Sequence, residues 1–184
     1  MDIYGRSFSL PALKNTLTIR RAVPGEEVTL SALAGELFRQ GYGDTHPEPE
    51  ISRYIARNFS PDAVARDLGN SVVAVLIGET KEGRPAAYAM VRESDADRME
   101  IARFYVDREF HGTGAAQSLM VACIDEARLR GKTAIWLQAW QEAGRALAFY
   151  RKFGFEVFDT AKFEFGTRID DDYLLVRPVA GGDI

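Results

Sequence analysis

Cysteine is nearly absent from this 184-residue chain: Cys123 stands alone, so no internal disulfide can form. It lies in an apolar pattern of helical spacing, which reads as core packing, with a nucleophilic thiol as the alternative. Histidine is almost as scarce. His46 and His111 are far apart and have no ligand-type neighbours at metal-binding spacing, so no metal site is expected. No apolar run approaches the roughly 20 residues of a membrane span. Residues 1–16 lack the long apolar stretch of a signal peptide. Basic charge is not in excess either: 23 Lys and Arg stand against 27 Asp and Glu, a net charge of -4. A nucleic-acid surface needs clustered cations. These absences predict a cytoplasmic protein that binds neither membrane nor nucleic acid, and the acidic balance is compatible with a cationic substrate.

What is present suits one globular domain: 46% hydrophobic and 27% charged residues, with length enough for a real core. Residues 1–16 show no clean periodicity and read as an arm, residues 17–178 as the domain and residues 179–184 as a tail. Residues 17–23 (LTIRRAV) read as a strand. Pro24, Glu26 and Glu27 then open a helix whose stripe is Leu30, Leu33, Leu37 and Phe38. Residues 42–50 read as loop. Ile51, Tyr54, Ile55 and Phe59 make a second helical stripe, and Ser60 is placed to cap a third helix. Residues 71–77 (SVVAVLI), 85–92 (PAAYAMVR) and 99–106 (MEIARFYV) are strands joined by short turns, hence antiparallel. A helical stripe from Ala116 to Ala127, a strand at 133–139 and a helix at 145–153 follow. Short strands are expected at 155–158, 162–165 and 173–177. The crossover from residue 99 to 139 makes one strand pair parallel. The fold class is therefore α/β: a mixed, mostly antiparallel sheet with helices on both faces.

One stretch concentrates chemistry. Between the strand at 99–106 and the next helix lies His111-Gly112-Thr113-Gly114-Ala115-Ala116, with only small side chains after the histidine. A strand entering a helix through such a turn leaves unpaired N–H groups at the positive end of the helix dipole, a site for phosphate or pyrophosphate. The alternative is a tight connection and nothing more. A dinucleotide fingerprint is excluded, since Gln117 stands where it wants a third glycine or alanine.

The run ARFYVDREFHGTGAAQSLM, followed by IWLQAW and RALAFYRKFGF, resembles the GCN5-related N-acetyltransferase (GNAT) superfamily over about residues 70–178. The resemblance implies a sheet whose central parallel strands splay apart to admit acetyl-CoA, with no metal. The family signature (Gln or Arg, two residues, Gly, one residue, Gly or Ala) falls on His111, Gly114 and Ala116, with His replacing the usual first residue. It implies that Gly112, Thr113, Gly114, Ala115, Ala116 and Gln117 hold the diphosphate, His111 mainly through its backbone. It also implies that the backbones of Phe104, Tyr105 and Val106 hold the pantetheine arm, with Gln138 and Ala139 on the facing strand. Ala143 occupies a coenzyme-contacting position where many members carry Asn. Tyr150 falls where the family's general acid protonates the leaving thiolate; the plainer reading is a buried helix aromatic.

The acceptor amine must lose a proton. Glu100 is the candidate base, sharing strand parity with Phe104 and Val106 and hence one sheet face. The alternatives are an arginine-paired strand carboxylate and a water relay. The N-terminal half, with FEFGTRIDDDYLL, is more loosely similar to PaiA-like polyamine acetyltransferases. On that similarity Asp44, Glu48, Glu50 and residues Asp170, Asp171 and Asp172 attract a polycation; otherwise they are solvated loop and turn. The expected function is direct acetyl transfer to a primary amine of a small molecule. A non-catalytic acyl-CoA sensor, or an enzyme for protein N-termini or antibiotic amines, is the alternative. A homodimer is left open.

Overall fold

The computed structural model describes residues 17–179. The expected arm at 1–16 and the tail from residue 180 lie outside the described residues. Val179, read from sequence as the first tail residue, is buried, and its N–H donates to the Thr133 carbonyl at 2.8 Å.

Seven strands form one sheet: β1 (Thr18–Arg21), β2 (Val73–Glu79), β3 (Pro85–Glu93), β4 (Arg98–Val106), β5 (Ala134–Trp140), β6 (Glu156–Phe165) and β7 (Arg168–Pro178). Their spatial order is β1-β2-β3-β4-β5-β7-β6, and only the β4–β5 pair is parallel. A helix between these two strands supplies the crossover that a parallel pairing requires. The helices are α1 (Glu27–Tyr42), α2 (Glu48–Asn58), α3 (Pro61–Leu68), α4 (Ala115–Leu129) and α5 (Gly144–Lys152). Ser60 does cap α3, its hydroxyl oxygen accepting from the Ala63 N–H.

The period-2 alternation of the strands sends side chains to two cores. One face packs Met99, Ile101, Ile135 and Leu137 against Leu119, Met120, Cys123 and Ile124 of α4. The other packs Ile77, Tyr88 and Phe165 against Leu30, Phe38, Ile51 and Phe59 of α1, α2 and the following cap. Glu126, buried in α4, is held by Arg21 of β1 and Arg130, so the polar edge of the first core carries its counter-charges with it.

Several boundaries differ from the sequence reading. Helix α2 begins at Glu48, inside the expected loop, because Pro47 and Pro49 sit at its entry, where a missing N–H costs nothing. The short strands expected at 155–158 and 162–165 are one strand, β6. Most of its residues are exposed, which gives it no apolar alternation to read. Strand β7 starts at Arg168, not at Tyr173. Its hairpin with β6 turns at Gly166-Thr167, with Gly166 at φ +62°. Glu50 of α2 occupies the space a Cβ at Gly166 would fill, and accepts from the Thr167 hydroxyl at 2.9 Å.

Candidate active site

The glycine turn begins after a 3₁₀ turn at Arg108–Phe110. Gly112 and Gly114 have φ of +79° and +96°, a backbone region that side chains disfavour. Gly114 is the N-cap of α4, no side chain caps the helix, and its first turn carries no acid. Among the described residues, the N–H groups of Gly112, Gly114, Ala115, Ala116 and Gln117 donate to nothing. Two residues of the expected cradle face inward instead. The Thr113 hydroxyl donates to the Phe110 carbonyl at 2.7 Å, and its N–H is directed at the same oxygen. The His111 N–H donates to Arg108, and its ring Nε2 lies 3.0 Å from the Val106 carbonyl. His111 therefore ties the turn to the end of β4, a correction to its expected backbone role.

Strands β4 and β5 pair only from Arg98–Ala134 to Ile101–Leu137. Beyond that they separate, although β4 stays paired to β3 as far as Val106 and β5 to β7 as far as Trp140. The ladder phase says which groups this opening exposes. Asp107 donates to Ala86 at 2.9 Å, so the hydrogen-bonded β3–β4 pairs alternate through Tyr105 and Arg103. Phe104 and Val106 therefore turn their N–H and C=O groups to the open edge, whereas the Tyr105 backbone is spent on Tyr88 of β3. That removes Tyr105 from the expected pantetheine contacts. On β5, Gln141 donates to Asp171, so the phase puts the Gln138 backbone on the opening and the Ala139 backbone on β7. The Phe104 backbone and the Val106 N–H on the opening and the unpaired amides of the glycine turn flank the end of β4, while the Val106 carbonyl is met by the His111 ring. Their donors and their lack of bulk fit a diphosphate and an amide-bearing arm.

Tyr150 of α5 closes one side. Its ring meets Phe104 edge-on at 6.4 Å between centroids and packs with Phe149 and Phe155. Burial pushes its phenol up to about 12, with a further small rise from Cys123, so it stays protonated through neutral pH. Ala143 is the N-cap of α5, where its methyl group can make no hydrogen bond. Cys123 is fully buried and burial raises its thiol well above the usual range, which favours the packing role.

Glu100 is not on the face expected. Met90 is opposite Arg103 and Val91 opposite Ile101, so Ala102 is an extra residue, a β-bulge. The bulge reverses strand parity. Phe104 and Val106 pack with the α4 core, whereas Ala102 and Tyr105 pack with the α1–α2 core. Glu100 lies on this second face, its carboxylate accepting from Arg92 Nε at 2.6 Å.

That face holds a cavity of about 310 Å³ between the sheet and α1–α2. Its apolar walls include Phe38, Tyr42, Tyr54, Tyr105 and Trp140; Gln138 and Ala139 lie on its floor. Three carboxylates line it: Glu100, Asp170 and Asp172. Asp170 and Asp172 are only 7% and 5% exposed, because β7 alternates and turns both inward while Asp171 points out to Lys162. The other acids of the expected polycation site are elsewhere: Asp44 pairs with Arg108, Glu48 with Arg39, and Glu50 holds the β6–β7 hairpin. Arg103 also lines the cavity and is engaged with Asp67 at 2.9 Å and with the Tyr88 hydroxyl. Burial raises the Tyr42 phenol, and the nearby Tyr54, Tyr150, Asp172 and Asp170 raise it further. His46 is the wall residue the sequence reading passed over. Its contact with Phe165 at 4.3 Å is tertiary and leaves no local pattern.

The sheet is split at its parallel pair, with the unpaired amides of the glycine turn beside the split and a carboxylate-lined cavity on the other face. The chain belongs to the acetyltransferase (GNAT) family, whose model matches residues 34–155. An uncharacterised N-acetyltransferase of Mycobacterium bovis is 31% identical over 148 residues, covering 80% of this chain and 94% of the relative. The PaiA N-acetyltransferase of Thermoplasma acidophilum, solved in complex with coenzyme A, shares the fold with a TM-score of 0.76 at 18% identity. That match covers 89% of this chain and 99% of the other. A GNAT acetyltransferase of Elizabethkingia anophelis with acetyl-CoA bound matches at a TM-score of 0.60 and 17% identity, covering 90% and 99%. The enzyme class is N-acetyltransferase. Among the described residues no helix is long and apolar enough to cross a membrane, and no group of side chains is placed to hold a metal ion.

Proposed function

We propose that this N-acetyltransferase moves acetyl directly from acetyl-CoA to a primary amine of a small molecule, in the cytoplasm. The observation that carries this reading is the opening between β4 and β5, which joins the glycine turn to the cavity on the other face. Bound acetyl-CoA supplies an acetyl group activated as a thioester. The amides of Gly112 and of Gly114 to Gln117 hold the diphosphate, and the outward backbone groups of Phe104 and Val106 align the arm. The Phe104 N–H faces the thioester carbonyl and stabilises negative charge that builds there.

A free alkyl amine arrives as an ammonium, with a pKa about three units above neutral. Glu100, which accepts from Arg92 Nε at 2.6 Å, receives its proton, directly or through water. The freed nitrogen forms the C–N bond as the C–S bond breaks, and Tyr150 donates its phenolic proton to the departing sulfur. The buried Cys123 offers no route through an acyl-enzyme.

The test is release of free thiol from acetyl-CoA with a panel of primary amines, with the acetylated product weighed by mass spectrometry. Thiol release matched by N-acetylated amine is expected. Tight acetyl-CoA binding with no release for any amine, peptides with free N-termini included, would instead make the domain a sensor.

A further inference from the structure

Three phenols reach the cavity without a partner. Among the described residues the hydroxyls of Tyr42, Tyr54 and Tyr105 make no hydrogen bond, whereas that of Tyr88, stacked beside Tyr105, accepts from Arg103 at 3.2 Å. They are not sealed in the core either. Among the described residues the only sealed side-chain polar atoms without a hydrogen-bond partner are Asp172 Oδ1 and His46 Nε2, and the latter stands 3.5 Å from Asp170 Oδ2. The three hydroxyls therefore open onto the cavity. They come from three elements, α1, α2 and β4, and are close enough to act on one another. Burial raises each phenol first; Tyr54 raises Tyr42 further, and Tyr42 and Tyr54 raise Tyr105. All three stay protonated at neutral pH, so each both donates and accepts.

The charges limit what accompanies these hydroxyls. Along the cavity wall Glu100 is paired with Arg92 at 2.6 Å, Arg103 with Asp67 at 2.9 Å and Asp170 with Arg168 at 2.5 Å. Asp172 alone has no cation among the described residues; its Oδ2 accepts from the neutral Gln138 amide at 2.9 Å. One uncompensated carboxylate balances one ammonium, the one that the transfer consumes. A second would enter a cavity walled by aromatic rings without a counter-charge. The rest of the acceptor has to answer the phenols. A methylene chain gives them nothing, and an ammonium offers donors only, which leaves the phenolic hydrogens unmet. A hydroxyl group donates and accepts, and so completes each phenol in the place of water.

We propose that the acceptor is a hydroxylated monoamine, an amino alcohol or an amino sugar, whose hydroxyl groups are bound by Tyr42, Tyr54 and Tyr105. The inference rests on the acetyl-transfer reading for the identity of the cavity, and its test reads binding, not chemistry. Calorimetry on the coenzyme A-loaded protein compares 2-amino-1,3-propanediol with 2-aminopropane and glucosamine with cyclohexylamine, pairs matched in chain or ring size, with 1,4-diaminobutane alongside. The hydroxylated member of at least one pair is expected to bind about tenfold or more tighter; the open-chain pair marks an amino alcohol and the ring pair an amino sugar. Tyr54→Phe keeps the ring stacked on Phe38 at 4.5 Å and removes only a hydroxyl that has no partner among the described residues. In that variant the preference is expected to fall by about 2- to 10-fold, whereas lost packing alone would weaken both members of a pair equally. No preference in either pair, tighter binding of the diamine than of both hydroxylated amines, or a preference unchanged in both Tyr54→Phe and Tyr42→Phe would overturn the proposal. A hydroxyl preference in binding without acetyl transfer to any amine would leave this site standing and remove the transfer reading; transfer to alkyl amines with no hydroxyl preference would do the reverse.

Discussion

Glu100 and Phe104 are four residues apart on one strand, yet their side chains lie on opposite faces of the sheet, because the bulge at Ala102 lies between them. The bulge divides the labour of the opening. Phe104 turns its backbone to the opening and touches Tyr150 with its ring, and Glu100 lines the cavity on the other face. The proposed proton donor and the proposed proton acceptor therefore lie on different faces of the sheet.

Tyr150→Phe keeps the contacts with Phe104, Phe149 and Phe155 and removes only the hydroxyl. Turnover is expected to fall by about 10²-fold, with acetyl-CoA affinity nearly unchanged. Steady-state kinetics beside equilibrium binding check this, and unchanged turnover would end the general-acid assignment.

Gly114→Asp places a side chain and a negative charge at a left-handed N-cap whose free amides form the proposed diphosphate site. Acetyl-CoA affinity is expected to drop by about tenfold or more, a loss of about 1.4 kcal/mol or greater. Calorimetric titration with coenzyme A reads it. Retained affinity would mean that the diphosphate is held elsewhere.

Asp172→Asn tests the cost of the unpaired carboxylate. Burial first, then the charges of Asp170 and Asp171, raise the Asp172 carboxyl above the usual range. A folded-state pKa above the unfolded one means that the native protein binds the extra proton. This group's stabilising contribution is therefore full at low pH and is lost as pH rises from the unfolded value through the raised one. At neutral pH the variant is expected to melt at a higher temperature than the natural protein. The difference between the two proteins should shrink as pH falls through that window. Thermal melts across the acidic range measure it; a variant that melts lower at neutral pH would show that the charge has a partner.

Cys123 should resist iodoacetamide in the native protein and react only on unfolding, since it is buried and its thiol is held protonated. Labelling followed by intact mass decides it. Rapid native labelling with loss of activity would reopen an acyl-enzyme route.

The glycine turn was legible because its chemistry is local: positive-φ glycines and a helix start occupy adjacent positions in the chain. So was the order of the elements, which follows from periodicity and turns. The face of Glu100 was not, because parity arguments assume an unbroken ladder and a bulge depends on the partner strand's register. The inward turn of Asp170 and Asp172 was hidden for a related reason. Three consecutive acids look like a solvated turn, and only placing them on a strand assigns the first and third to one face. His111 and Thr113 looked like donors to a ligand; their engagement with Val106 and Phe110 depends on how the turn folds back on β4.

The central claim is that the opening between β4 and β5 is where acetyl-CoA meets the amine. A crystal structure of the protein with coenzyme A tests it most directly. The diphosphate should lie on the amides of Gly112 and Gly114 to Gln117, the arm along Phe104 and Val106, and the sulfur beside the Tyr150 hydroxyl. Coenzyme A bound outside that opening, or a sulfur remote from Tyr150, would contradict the account.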